Sequence, residues 1–219
     1  MKASANVLKA LLRTKVKLPY LLYLPEGRRG GAKRKSPLLL FLHGAGERGN
    51  DLEQVKVHGP PKLIEKEGRE FPFIVVAPQC PADDWWKPEP LVALLDDLMG
   101  RHAVDPERVY VTGLSMGGYG TWALAGTCPE RLAAVVPICG PFAWLRFKQL
   151  GRLPVWCFHG AMDEAVPVSE SIRMVRFLRA AGGNARFTVY PDAGHDAWTE
   201  TYANAELYAW LLKQRRDRR

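Results

Sequence analysis

The segment Gly113-Leu114-Ser115-Met116-Gly117 sets one serine between glycines two residues to either side. An apolar run with strand character, 109–112, precedes it, and a stretch with helical spacing, 116–126, follows at once. A strand that turns directly into a helix forces strained backbone on the residue at the corner, and the flanking glycines let neighbouring chain approach without clashing. The Ser115 hydroxyl is thereby pushed into the open, as a nucleophile requires. The competing reading is a glycine-rich turn that carries an idle serine.

A serine hydroxyl attacks poorly at neutral pH unless a base takes its proton and a third group holds that base in one tautomer. Among five histidines, His195 in Asp192-Ala193-Gly194-His195-Asp196 follows the last strand-like run and precedes the last helical stretch. His43 and His58 precede the serine, His102 lies at a helix end and His159 ends a strand-like run; for these four a packing or hydrogen-bonding role is expected. The acid belongs on the turn after the preceding strand, where Asp163 stands in His159-Gly160-Ala161-Met162-Asp163-Glu164. Glu164 is a rival one position on, whereas Asp196 better suits a cap on the last helix. Charge developing on a carbonyl oxygen calls for two convergent backbone N–H groups. Met116 supplies one in this reading, and Ala45 in His43-Gly44-Ala45-Gly46 the other, the alternative for that loop being a plain β-turn.

These residues need a frame. Short apolar runs bounded by Gly and Pro predict strands over 20–24, 38–42, 73–77, 109–112, 134–138, 155–158 and 186–190. Helical spacing predicts helices over 91–102, 116–126, 169–181 and 197–213, the third opening at an N-cap-type Ser169 and closing at Gly182 and Gly183. The alternation reads as an α/β fold: a mostly parallel twisted sheet with helices on both faces. The short interval between 138 and 155 leaves no room for a large lid domain, so the site should be open. One domain is expected over 1–219, with a lead-in over 1–15 and a basic tail over 214–219.

Composition agrees with a globular chain. Of 219 residues, 47% are hydrophobic and 25% charged, which excludes a disordered or collagen-like polymer. A net charge of +8 and a pI near 9.4 raise the question of nucleic acid or an anionic surface. The basic residues, however, gather in Arg28, Arg29, Lys33, Arg34 and Lys35 and in Lys213, Arg215, Arg216, Arg218 and Arg219, with no interleaved aromatics of the kind that line a single-strand groove. No nucleic-acid partner is expected. Cys80, Cys128, Cys139 and Cys157 form no C-x-x-C pair and have no histidine at zinc-ligand spacing, so buried thiols and no metal are expected. No run approaches the ~20 apolar residues of a membrane span. Lys9 interrupts the one candidate signal segment, 7–12, and Arg13 ends it, which favours a cytoplasmic location, or a secreted or periplasmic one if a signal was trimmed.

Three stretches together carry a family likeness. Leu40-Phe41-Leu42-His43-Gly44-Ala45-Gly46-Glu47-Arg48-Gly49, the segment Val109 to Trp122 around Ser115, and Ala193-Gly194-His195-Asp196-Ala197-Trp198 resemble the phospholipase/carboxylesterase and dienelactone-hydrolase-related branch of the α/β-hydrolases. Bacterial predicted-peptidase and feruloyl-esterase-like esterases are most similar, from about Tyr20 to the C-terminus. The resemblance implies the α/β-hydrolase fold, catalytic Ser115, Asp163 and His195, and oxyanion donors Ala45 and Met116. Hydrolysis of short-chain or aryl carboxylic esters through an acyl-enzyme on Ser115 is expected, without a cofactor. Dienelactone hydrolases proper carry cysteine where this chain has serine, so their substrate does not transfer. A peptidase or thioesterase using the same three residues is the alternative.

Trp85, Trp86, Phe142, Trp144 and Trp198 fall on loops at the edge expected to hold the site. They form either an aromatic substrate platform, with Trp86, Trp144 and Trp198 its main members, or plain rim packing. Glu47 and Arg48 fit a loop-stabilising contact better than a substrate contact.

Overall fold

The computed structural model describes residues 15–26, 35–141, 143 and 147–216. Among these described residues, seven strands form one sheet: β1 (Tyr20–Tyr23), β2 (Ser36–Leu42), β3 (Ile74–Pro78), β4 (Val104–Leu114), β5 (Ala134–Ile138), β6 (Val155–Gly160) and β7 (Ala185–Tyr190). They lie in the order β1-β3-β2-β4-β5-β6-β7. Only β1 runs antiparallel to its neighbour; the other five pairings are parallel. Every strand predicted from the sequence is present. β4 begins five residues before its predicted start, with a register irregularity against β2 between Ser36 and Leu38.

The central strands are apolar at consecutive positions because the sheet is covered on both faces. Along β2, Leu38, Leu40 and Leu42 enter one layer, while Leu39 and Phe41 enter the other. The first layer takes α2 (Pro88–Arg101) through Leu91, Leu94, Leu95 and Leu98, α3 (Met116–Thr127) through Trp122, Leu124 and Ala125, and α5 (Ser169–Ala180) through Met174, Val175 and Leu178. The second takes α1 (Gly59–Glu67) through Leu63, α6 (Trp198–Ala203) through Tyr202, and α7 (Ala205–Lys213) through Leu207, Tyr208 and Leu211. A short α4 (Phe147–Leu150) lies between β5 and β6, and no added domain occurs among the described residues.

Two helical expectations are corrected, and one helix is added. The stretch 197–213 is two helices, because Asn204 leaves helical backbone (φ −70°, ψ 113°) and its side chain accepts the Glu206 N–H. Ser169 is the first residue inside α5 and not its cap; Val168 holds that place, without a side-chain bond. α1 has no counterpart among the predicted helices; it opens with Gly59-Pro60-Pro61, and proline is well placed in a first turn, where no intrahelical acceptor exists for its missing N–H. The tail beyond α7 is docked as far as Arg216: the Tyr110 hydroxyl donates to the Gln214 carbonyl, and Arg215 pairs with Glu107 at 3.0 Å. Of the basic loop, Lys35 alone lies within the described residues.

After β2 the chain moves to β3 on one side, then crosses to β4 on the other. Such a switch opens a crevice at the carboxyl ends of the two central strands. Both glycine-rich turns, after Leu42 and after Leu114, sit there.

Candidate active site

Ser115 occupies the corner between β4 and α3 with φ 53° and ψ −117°. A positive φ is unfavourable for a side-chain-bearing residue, by about 1–3 kcal/mol, and persists only where the surroundings enforce it. Here the Ser115 N–H donates to the Ile138 carbonyl at the end of β5, and its carbonyl accepts the Tyr119 N–H inside α3. Gly113 and Gly117 press on each other and on the Leu42 carbonyl, so neither has room for a Cβ. The corner is therefore clamped by the neighbouring strands.

The loops that carry His195 and Asp163 are tied by backbone. Ala161 N–H donates to the Tyr190 carbonyl at 2.9 Å and Met162 N–H to the Ala193 carbonyl at 3.0 Å. Gly160 makes this approach possible, since a Cβ there would strike the backbone of Ala193 and Gly194. His195 Nε2 consequently stands 2.9 Å from Ser115 Oγ, and His195 Nδ1 2.7 Å from Asp163 Oδ2. A carboxylate can only accept, so Nδ1 carries the proton and Nε2 is left bare toward the hydroxyl. The other oxygen, Oδ1, accepts the N–H groups of Ala165 (3.0 Å) and Val166 (2.8 Å). Asp163 is buried; its rival Glu164 is exposed. Asp196 accepts both the backbone N–H and the hydroxyl of Thr199, in the first turn of α6.

The loop after β2 is a single 3₁₀ turn, Ala45–Glu47. A Cβ built on Gly44 would lie 3.7 Å from that of Ser115, so this loop abuts the serine. The Glu47 carboxylate accepts the Gly44 N–H at 2.8 Å, and Arg48 reaches the carbonyls of Ala45 and Asp84. Both side chains hold the loop. Ala45 opens the 3₁₀ turn and Met116 opens α3, positions whose N–H groups have no intrahelical acceptor.

His43 is fully buried. Its Nδ1–H donates to the Gly44 carbonyl at 2.6 Å and its Nε2 accepts the Cys80 N–H at 3.0 Å. Burial is the largest influence on it and pushes its pKa from the ordinary 6.5 down to about 4; Arg48 acts the same way, against the Gly44 bond.

The aromatic residues separate. Trp86 is no platform member: it is 3% exposed, donates its indole N–H to the His43 carbonyl and packs in the core. Trp198 is half-buried and meets His195 edge-on at 5.2 Å, while its indole N–H donates to His58 Nδ1 at 3.3 Å. Trp85 is 50% exposed and meets Tyr119 edge-on. Trp144 and Phe142 lie outside the described residues.

Sequence reasoning did not foresee two neighbours of Asp163. His159 Nε2 lies 3.2 Å from Asp163 Oδ2. Cys139, at the turn after β5 with φ 39°, shares with Asp163 and His195 a set of possible ligand atoms within 4.8 Å of one another. A cation bound there would need a thiolate, yet burial holds the Cys139 thiol far above its usual range, and the ion would compete with the His195–Asp163 bond. The spacing of these residues in sequence gives no hint of their meeting.

Comparison with known proteins places the chain in a family. The chain is 27% identical over 186 residues to a bifunctional acetylxylan esterase/xylanase of Neocallimastix patriciarum, covering 80% of this chain but only 26% of that protein. It is 24% identical over 230 residues to acyl-protein thioesterase 1 of Gibberella zeae, covering 84% of this chain and 92% of the relative. Among solved structures, a thermostable esterase superposes with a TM-score of 0.78 at 34% identity, over 93% of this chain and 60% of the esterase. Residues 89–210, more than half of the sequence, match the dienelactone hydrolase family, whose span here runs from α2 through Ser115, Asp163 and His195 into α7, and the chain belongs to that family.

Proposed function

We propose that this chain is a serine hydrolase that cleaves short-chain or aryl carboxylic esters through an acyl-enzyme on Ser115. One observation carries the reading: Ser115 Oγ, the His195 ring and the Asp163 carboxylate form a continuous hydrogen-bonded line, 2.9 Å and 2.7 Å at its two links. In this reading His195 Nε2 takes the Ser115 proton as Oγ attacks the ester carbonyl, then returns it to the leaving alcohol. Asp163 stabilises the imidazolium formed in between. The N–H groups of Ala45 and Met116 receive the oxyanion, a contribution of several kcal/mol. Water then repeats the sequence on the acyl-enzyme.

The esterase names of the Neocallimastix patriciarum relative and of the 34% identical structure support ester substrates. The edge-on contact of Trp198 with His195 supports small or aryl groups at the rim. Likeness to acyl-protein thioesterase 1 keeps a thioester as the second reading, with a peptide bond the third.

A fluorophosphonate probe followed by peptide mapping tests the nucleophile. Modification of Ser115 in the wild type and its loss in Ser115→Ala are expected; an unlabelled protein, or a label elsewhere, refutes the proposal. Rates on p-nitrophenyl butyrate, an acyl thioester and a peptide anilide, measured side by side, then rank the bond cleaved, with the ester expected to be fastest.

A further inference from the structure

Behind Asp163 lies a buried polar chain that the three-residue line does not use. His159, fully buried at the end of β6, has Nε2 2.8 Å from the Val166 carbonyl and 3.2 Å from Asp163 Oδ2, and Nδ1 2.7 Å from Ser171 Oγ in α5. Ser171 Oγ in turn lies 3.4 Å from Cys157 Sγ. The protons can be assigned from one end. A carbonyl and a carboxylate only accept, so Nε2 must carry hydrogen. Burial, the largest influence, holds His159 below the ordinary histidine range, so the ring is neutral at pH 7 and its Nδ1 is bare. Ser171 then donates to Nδ1 and accepts from the Cys157 thiol, which burial keeps protonated by pushing its pKa up to about 12.

We propose that His159 is a positioning residue for the acid: its ring, held by Ser171 Oγ at Nδ1 and by the Val166 carbonyl to which Nε2–H donates, stands 3.2 Å behind Asp163 Oδ2 and keeps that oxygen in line with His195. The proposal rests on the triad reading given above. With the two backbone donors on Oδ1 and His195 on Oδ2, the carboxylate has three hydrogen-bond donors, the His159 N–H dipole close behind Oδ2, and one orientation. Because His159 and His195 share one oxygen, the donor from behind also tempers the negative charge that His195 meets. The titratable groups around His159 are Asp163, His195 and Cys157, one ahead of it, one beyond the carboxylate and one behind Ser171.

The test compares wild type, His159→Leu and His159→Gln in ester hydrolysis across pH. Groups that orient an acting side chain from behind typically contribute about 10- to 100-fold. His159→Leu should lower kcat by that range with KM nearly unchanged, and should move the acidic limb of kcat/KM to higher pH, because Asp163 then offers its full charge to His195. His159→Gln, which keeps a side-chain N–H, should recover most of the loss. In the wild type, ¹⁵N NMR of the imidazoles should find His159 neutral with its proton on Nε2 at pH 7, a result independent of how the variants fold. A proton on Nδ1, an imidazolium at neutral pH, or a His159→Leu enzyme with wild-type kcat and pH limb would overturn the proposal. Wild type labelled at Ser115 together with an indifferent His159→Leu removes this inference alone; failure of Ser115 labelling removes both.

Discussion

Gly117 lies directly against the carbonyl of Leu42, leaving no space for a Cβ between α3 and the end of β2. The contact fixes how far Ser115 projects beyond the sheet, because Gly117 is two residues into the helix that the serine opens. The atom that would be struck belongs to the backbone of a central strand and cannot rotate aside. Gly117→Ala should therefore cost about 1–3 kcal/mol of stability by overpacking and abolish most ester hydrolysis. Gly100→Ala is the control: it lies in α2 with nothing within 4 Å of an added Cβ, and should be neutral or stabilising by about 0.5–1 kcal/mol. Urea unfolding and initial rates on the same preparations check both.

Asp163→Asn should be far more damaging than its size suggests. The N–H groups of Ala165 and Val166 require an acceptor at the Oδ1 position, so the amide nitrogen must take the place of Oδ2. It would then present hydrogens to His195 Nδ1 and to the Nε2–H of His159. His195 is driven into the tautomer with its proton on Nε2, facing Ser115 and unable to accept. A fall in kcat of about 10³- to 10⁴-fold with little change in KM is expected. Steady-state kinetics decide, and a loss under tenfold would show that the carboxylate does not orient the base.

Much of this frame is legible from the chain because strands buried on both faces announce themselves as continuous apolar runs, as Leu38 to Leu42 does. Ser115 is legible because its constraints are local: the glycines that relieve the corner are its neighbours in sequence. The break at Asn204 is not, since Trp198 and Tyr202 before it and Leu207, Tyr208, Leu211 and Leu212 after it each keep helical spacing, and what separates them is one residue whose side chain caps the second helix. Trp86 and His159 illustrate the remaining gap. Whether an aromatic on a loop faces solvent or the core, and whether a histidine ending a strand meets a carboxylate four residues on, depends on where loops fold back.

All four cysteines are free and buried, and burial pushes the pKa of Cys80 and Cys128 up to about 11. A thiolate is the reactive form, so none should react while the fold is intact. Titration with Ellman's reagent at pH 8 should find almost no thiol in the native protein and four after denaturation. Dithiothreitol should leave the melting temperature unchanged. Rapid reaction of one native thiol would mean that its surroundings open.

Acid stability should carry the mark of His43. Its Nε2 already accepts the Cys80 N–H, so a second ring proton would break that bond and place a charge on a fully buried ring. The ring titrates near 6.5 when unfolded and near 4 when folded. Above pH 6.5 it is neutral in both states and contributes nothing to the pH dependence. Between about 6.5 and 4 the unfolded chain binds the proton and the native state does not, so stability falls with pH; below 4 this contribution stays constant. A difference of about two and a half units corresponds to about 3 kcal/mol lost across the window. His43→Gln, which cannot gain a proton, should be less stable at pH 7 but should lose less stability between pH 7 and pH 4 than the wild type. Equal slopes in urea unfolding across that range would mean that His43 does not resist protonation.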